Sequence, residues 1–205
     1  MLKRIIQLAL LSCLFHAPAP GQTIFKFNQY DIIYSGDFMP VVTLYASYQI
    51  NKTFGVASYF YVNGYAKNSW GEGLIGPLVT PIQGITIGFL GGYQTNETEL
   101  WRISPLLILS YNQWSFFGAF EFGGKRYRWD CMGFYSVKSF KFGAEFIRFY
   151  QMYTAGPRVE FTFFKKQPIT VFYTALWDWT YGKYSSMFGI YTIFGPFGKQ
   201  KPLDD

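Results

Sequence analysis

Between Gln22 and Phe194 apolar and polar side chains alternate in runs of about ten residues, each closed by turn residues. In 138-KSFKFGAEFIRFY-150, Phe140, Phe142, Ala144 and Phe146 fall on one side of an extended chain and Lys141 and Glu145 on the other. A period of two calls for strands, and about ten residues is the length a tilted strand needs to cross a bilayer. The composition points the same way: 22% of residues are aromatic and only 15% charged, against roughly 25% charged in an average soluble domain. So much aromatic surface with so few charges fits an exterior that faces lipid. No apolar run past Gln22 reaches the roughly 18 residues of a spanning helix, which leaves a closed, all-β barrel as the membrane-compatible fold.

Strands are expected near 24–34, 41–50, 54–62, 69–79, 84–94, 100–110, 114–123, 129–137, 140–150, 154–164, 168–178 and 185–194, a total of twelve. Tight turns at 51-NKT-53, 80-TPIQ-83, 111-YNQ-113, 138-KS-139 and 165-KKQ-167 alternate with the mostly longer links 35-SGDFMP-40, 63-NGYAKN-68, 95-TNETE-99, 124-GKRYRW-129, 151-QMYT-154 and 179-WTYGKY-184. Short turns on one side and longer loops on the other place the short side, and both chain ends, in the periplasm. The first strand, 24-IFKFNQYDIIY-34, alternates imperfectly. Even strand parity argues for keeping it, and ten strands is the alternative count. Gly76-Pro77 and Gly156-Pro157 both follow a long link and precede more strand, a faint echo that a hairpin duplication or simple strand bends would each explain.

The N-terminus reads as a secretory signal over residues 1–21. Lys3 and Arg4 precede the apolar 5-IIQLALLSCLF-15, and Ala19 and Gly21 suit a cut before Gln22. The rival reading takes 10-LLSC-13 as a lipoprotein box with Cys13 acylated. Residues 22–194 then form the barrel and 195-GPFGKQKPLDD-205 a periplasmic tail. Losing Lys3 and Arg4 lowers the net charge from +6 to +4, too little and too scattered for a nucleic-acid partner. The basic cluster 125-KRYR-128 fits a loop, either merely solvated or in contact with lipid phosphates. Cys131 would be the one cysteine left, so neither a disulfide nor a zinc site is expected.

The signal peptide, the strand rhythm and aromatic-rich pieces such as 114-WSFFGAFEFGG-124 resemble the outer-membrane β-barrel proteins of Gram-negative bacteria over residues 24–194. The last strand, 185-SSMFGIYTIF-194, partly resembles their C-terminal assembly signal in Gly189 and Phe194; it departs from it at Thr192 and in the tail that follows. The resemblance implies outer-membrane location, contact with membrane lipid and lipopolysaccharide, and delivery by the assembly machinery. It leaves the oligomeric state open.

Strand alternation sends Arg102, Glu121, Lys141, Glu145, Arg158, Glu160 and Asp178 to the inside, together with Glu72. Glu72, Arg102, Glu121 and Asp178 are expected toward the loop side, Glu145, Arg158 and Glu160 near mid-height, and Lys141 nearest the periplasmic turn. Mixed signs at related depths suggest a paired network. Such a network either braces a filled barrel or lines a constriction that selects solutes by charge. Arg148 shares parity with the phenylalanines and is expected at the outer interface, where an aromatic belt lets a long cation reach headgroups.

Enzymatic chemistry has little to work with. The only histidine, His16, lies in the signal, which removes the usual activator of a hydroxyl nucleophile. Glu121 and Glu145 as an acid and base of unequal strength remain a minor reading against ion pairing with Arg102 and Arg158. The glycine-rich 71-GEGLIG-76 and 84-GITIGFLGG-92 follow neither a phosphate-loop nor a dinucleotide pattern, so no cofactor is expected. The expectation is a porin-like barrel passing small polar solutes through a charged lumen, with a plugged structural or surface-interaction barrel as the alternative.

Overall fold

The computed structural model describes residues 23–35, 37–64, 69–95, 100–123, 126–149, 151–164 and 168–194 of the chain. Residues 1–21, where a signal is expected, with Cys13 and His16, and the expected tail at 195–205 lie outside the described residues. Twelve strands follow one another: β1 (Thr23–Tyr34), β2 (Phe38–Gln49), β3 (Phe54–Asn63), β4 (Trp70–Ile82), β5 (Ile85–Gln94), β6 (Trp101–Tyr111), β7 (Trp114–Gly123), β8 (Arg126–Val137), β9 (Phe140–Phe149), β10 (Met152–Phe163), β11 (Ile169–Asp178) and β12 (Lys183–Phe194). Each pairs antiparallel with its sequence neighbours, and β1 pairs with β12 to close the ring. Twelve is therefore the count, and the irregular first strand belongs to the wall, joined to β2 from Thr23↔Gln49 to Tyr34↔Phe38.

Closure satisfies every ladder edge within the wall, as a hydrocarbon surround demands. Every second residue of β11 from Thr170 to Asp178 is buried, as are Arg102, Ser104, Leu106 and Ile108 in β6 and Ala57, Tyr59, Tyr61 and Asn63 in β3. The alternate residues form a broad apolar exterior. Phe60, Ile75, Phe89, Phe142, Tyr173 and Phe188 are each about half exposed or more. A band of this size on the outside of a closed barrel is a lipid-facing surface.

The strands run further toward the loop end than alternation alone suggests. β2 takes in 38-FMP-40, β8 begins at Arg126, β10 at Met152 and β12 at Lys183. The expected links at 35–40, 124–129, 151–154 and 179–184 shrink accordingly, and the contrast between short and long connections is weaker than the sequence implies. At the other end β4 continues through 80-TPI-82 past a register shift between Val79 and Ile82, leaving 83–84 as the turn. Gly84 there takes a φ of 87°, and Asn112 and Lys138 take φ values of 50° and 54° in the other two-residue turns.

The two Gly-Pro pairs occupy equivalent places. Pro77 and Pro157 point outward, and each coincides with a break in the ladder to the following strand: pairing steps from Ile75↔Gly91 to Leu78↔Gly88, and from Ala155↔Trp177 to Arg158↔Thr174. A proline has no N–H to donate, so the outward side of a mid-strand bend is where it does least harm.

Candidate functional site

The inside of the barrel is two-sided. Toward β2–β7 it is filled by Tyr45, Leu74, Leu78, Leu90, Leu106 and Ile108, against which Phe27, Met39 and Phe117 pack. Toward β7–β12 it carries most of its charge, beside a smaller apolar group of Phe172, Leu176 and Met187. At mid-height Arg158, 1% exposed, donates from Nε to Glu160 Oε1 at 2.8 Å and from Nη1 to Glu145 Oε2 at 3.1 Å. Its guanidinium carbon sits 3.7 Å from the centre of the Phe172 ring. Thr174 donates to the same Glu145 oxygen at 2.8 Å, Tyr191 donates to Glu160, and Lys141 Nζ stands 3.3 Å from Glu160 Oε2. Arg158, Lys141, Glu145 and Glu160 thus form a charge-balanced quartet. Buried ions are tolerable only when paired and hydrogen-bonded in this way.

The Phe172 ring has room because position 189 has no side chain. A Cβ on Gly189 would collide with the ring and with Asp31 Oδ1.

A second layer lies nearer the loops. Arg128 donates to Glu72 Oε1 at 2.7 Å and to the Tyr59 hydroxyl at 3.0 Å, faces Glu121 at 3.6 Å, and lies 3.6 Å from the centre of the Tyr61 ring. Arg102 donates to Gln94 Oε1 at 2.8 Å and lies in coulombic reach of Glu72 and Glu121. β8 stands four places from β4 and five from β3 in the ring of twelve, so these bonds cross the interior. Trp70 of β4 and Phe149 of β9 cross it as well, their rings stacked at 5.7 Å and 13°. Beside this bridge, Gln94, Arg102, Glu121 and Arg128 line a small pocket with room for about one water molecule.

Sequence reasoning missed Arg128. The structure corrects the reading of 125-KRYR-128 as a loop, whether solvated or in contact with lipid phosphates: Arg126–Arg128 belong to β8, and Arg128 is buried inside the barrel. The signal was present in the shared parity of Arg128 and Asp130 within the alternating 126-RYRWDCMGFY-135. Asp31 was missed too; it accepts a hydrogen bond from Gln29 at 2.7 Å, while Oδ1 of Asp31 and Oδ1 of Asp130 have no hydrogen-bond partner among the described residues. The interior therefore brings Glu72 and Glu121 together with Arg128, and Lys141, Glu145, Arg158 and Glu160 with one another. Glu121 and Glu145, the conceivable acid–base pair, belong to different layers. Asp178 caps a turn, its Oδ1 accepting from the N–H groups of Thr180 at 2.8 Å and Tyr181 at 3.2 Å.

These features define a closed, antiparallel β-barrel of twelve strands with an apolar exterior, the architecture of outer-membrane barrels. Among solved structures the chain is similar to the KdgM porin, with a TM-score of 0.58 and 12% identity over 82% of this chain and 99% of that one. It is similar to the KdgM porin in complex with disordered oligogalacturonate, at 0.54 and 13% over 82% and 99%. A protein from a study of in-meso crystallization of membrane proteins aligns at 0.60 and 5% over 83% of each chain. At these identities the likeness is one of fold. No protein family and no curated protein matches the sequence.

Proposed function

We propose that this chain is a bacterial outer-membrane barrel that passes small polar solutes along the charged side of its lumen, with the arrangement seen here as its closed state. The observation that carries the reading is the succession of polar groups inside the barrel: the pocket at Arg102 and Arg128, then Asp130 and Asp31, then the quartet around Arg158, ending at the partly exposed Lys141. A barrel that serves only as scaffold gains nothing from ions inside, since apolar residues of similar volume stabilise as well or better. The fold shared with the KdgM porin supports conduction. Arg158 and Thr174, at 1% and 0% exposed, are the most enclosed members of that succession, and in this reading the quartet around them is the constriction.

The same sealing, together with the apolar fill toward β2–β7, is what favours the second reading, a plugged barrel without transport. Planar-bilayer recording separates the two. The wild type is expected to show small, infrequent openings, and a variant with Glu145, Arg158 and Glu160 all changed to alanine a larger and steadier conductance. A triple variant that folds, shown by heat-dependent gel migration, yet stays closed at all voltages would sink the transport reading.

A further inference from the structure

Between the two charged layers stand oxygens that the ion pairs do not use. Gln29 and Asp31 lie two places apart on the inward side of β1, 6% and 5% exposed, and Asp130 shares the inward parity of Arg128 in β8. Asp130 is one inward step from Met132, which pairs with Glu145. Asp31 pairs with Gly189, which pairs in turn with Phe172, the ring that stacks on Arg158. That register sets both carboxylates beside the quartet, within coulombic reach of each other, of Arg158 and of Glu145.

The charges do not balance there. Arg158 and Lys141 are matched by Glu145 and Glu160, and Arg128 faces Glu72 and Glu121. Neither Asp31 nor Asp130 has an ion-pair partner among the described residues, so two negative charges are left over at mid-height. Their atoms lack donors as well. Oδ1 of Asp31, Oδ1 of Asp130 and Oε1 of Gln29 are buried with no hydrogen-bond partner among the described residues. The Gln29 amide is held against Asp31 by the 2.7 Å bond from its Nε2 to Oδ2, and its oxygen is a neutral acceptor beside the unmatched charge. A proton on one carboxyl supplies a single donor for these oxygens, whereas a metal ion serves several at once. Hard oxygens, two of them on carboxylates, with no nitrogen or sulfur ligand, suit an alkaline-earth ion over a transition metal.

We propose that Asp31, Asp130 and the Gln29 amide oxygen form a calcium-binding site inside the barrel, between the Arg128 layer and the quartet. Calcium takes carboxylates, amide carbonyls and waters in flexible geometry, and its two charges cancel the two left over. Among the described residues no three acidic, histidine or cysteine side chains are grouped to hold a metal, so water completes the shell and the affinity is modest. The site is independent of conduction.

Equilibrium dialysis of the full chain refolded in detergent, with calcium chloride as the probe, tests it. The wild type should bind one calcium ion, and Asp31→Asn should bind it about tenfold more weakly for want of one charged ligand. Asp31→Asn combined with Asp130→Asn should bind none in the same range. Calcium should also raise the urea midpoint of the wild type and leave that of the double variant unchanged, because a ligand of the native state alone stabilises it. A wild type that binds no calcium overturns the proposal whatever the variants do. So does a double variant that migrates as a folded barrel and binds calcium like the wild type. Equal stabilisation by potassium chloride at matched ionic strength would reveal general screening and overturn it too. Calcium bound through Asp31 and Asp130 in a barrel that never conducts would refute transport and leave this site standing.

Discussion

Removing the guanidinium from the mid-height quartet gives the sharpest test of how the interior is held. In Arg158→Ala, Glu160 keeps Lys141 at 3.3 Å and the Tyr191 hydroxyl, whereas Glu145 keeps only the Thr174 hydroxyl at 2.8 Å. The uncompensated charge therefore falls on Glu145, which is 2% exposed. Stripping one partner from a buried ion pair costs roughly 3–5 kcal/mol, and loss of the stack on Phe172 pushes the value toward the upper end. Arg158→Met with Glu145→Gln removes the orphaned charge, restores the lost volume and leaves Glu160 balanced by Lys141. That double variant should return to within about 1 kcal/mol of the wild type. Equilibrium urea unfolding in detergent micelles, followed by tryptophan emission and by heat-dependent migration, measures both. A single variant that loses less than about 1 kcal/mol, or a double variant no more stable than the single, would refute the quartet as the element that makes this layer tolerable.

Gly189→Ala should cost about 1–3 kcal/mol in the same assay, the typical penalty for forcing volume into a packed interior, because the added methyl meets both Asp31 and the Phe172 ring. Cys131, half-buried and on the outward parity of β8 opposite Phe146, should react in intact membranes with a lipid-soluble maleimide. A charged, membrane-impermeant thiol reagent should label it only after denaturation, and labelling beforehand would place it outside the bilayer.

The wall was readable because two physical constraints leave marks in one dimension. Alternation survives in strands such as β6, β9 and β11, and bilayer thickness sets their length. Parity alone was enough to bring Glu145, Arg158 and Glu160 to the inside, since they lie on the neighbouring strands β9 and β10. Arg128 was lost for two reasons. A basic run beside glycines imitates a loop, and its partner Glu72 lies 56 residues earlier and four strands around the ring. Contacts across a lumen depend on barrel stagger, which no local pattern encodes. The same holds for Trp70 and Phe149. In β1 the inward set Phe25, Phe27, Gln29, Asp31 and Ile33 mixes apolar with polar, so its phase emerged only from pairing with β2 and β12.

That pairing of β1 with β12, running from Lys26↔Phe194 to Tyr34↔Ser186, has a kinetic consequence. The seam joins the most distant parts of the chain, so its loop-closure entropy is met only after eleven hairpin partners are already in place. Until then the growing sheet carries two open edges, each a template for the wrong strand. A chain cut short of β12 would keep ten of the twelve ladders and could not close the ring. The seam makes completion all-or-none, and it makes guarding those two edges during insertion the slow, error-prone part of building this barrel.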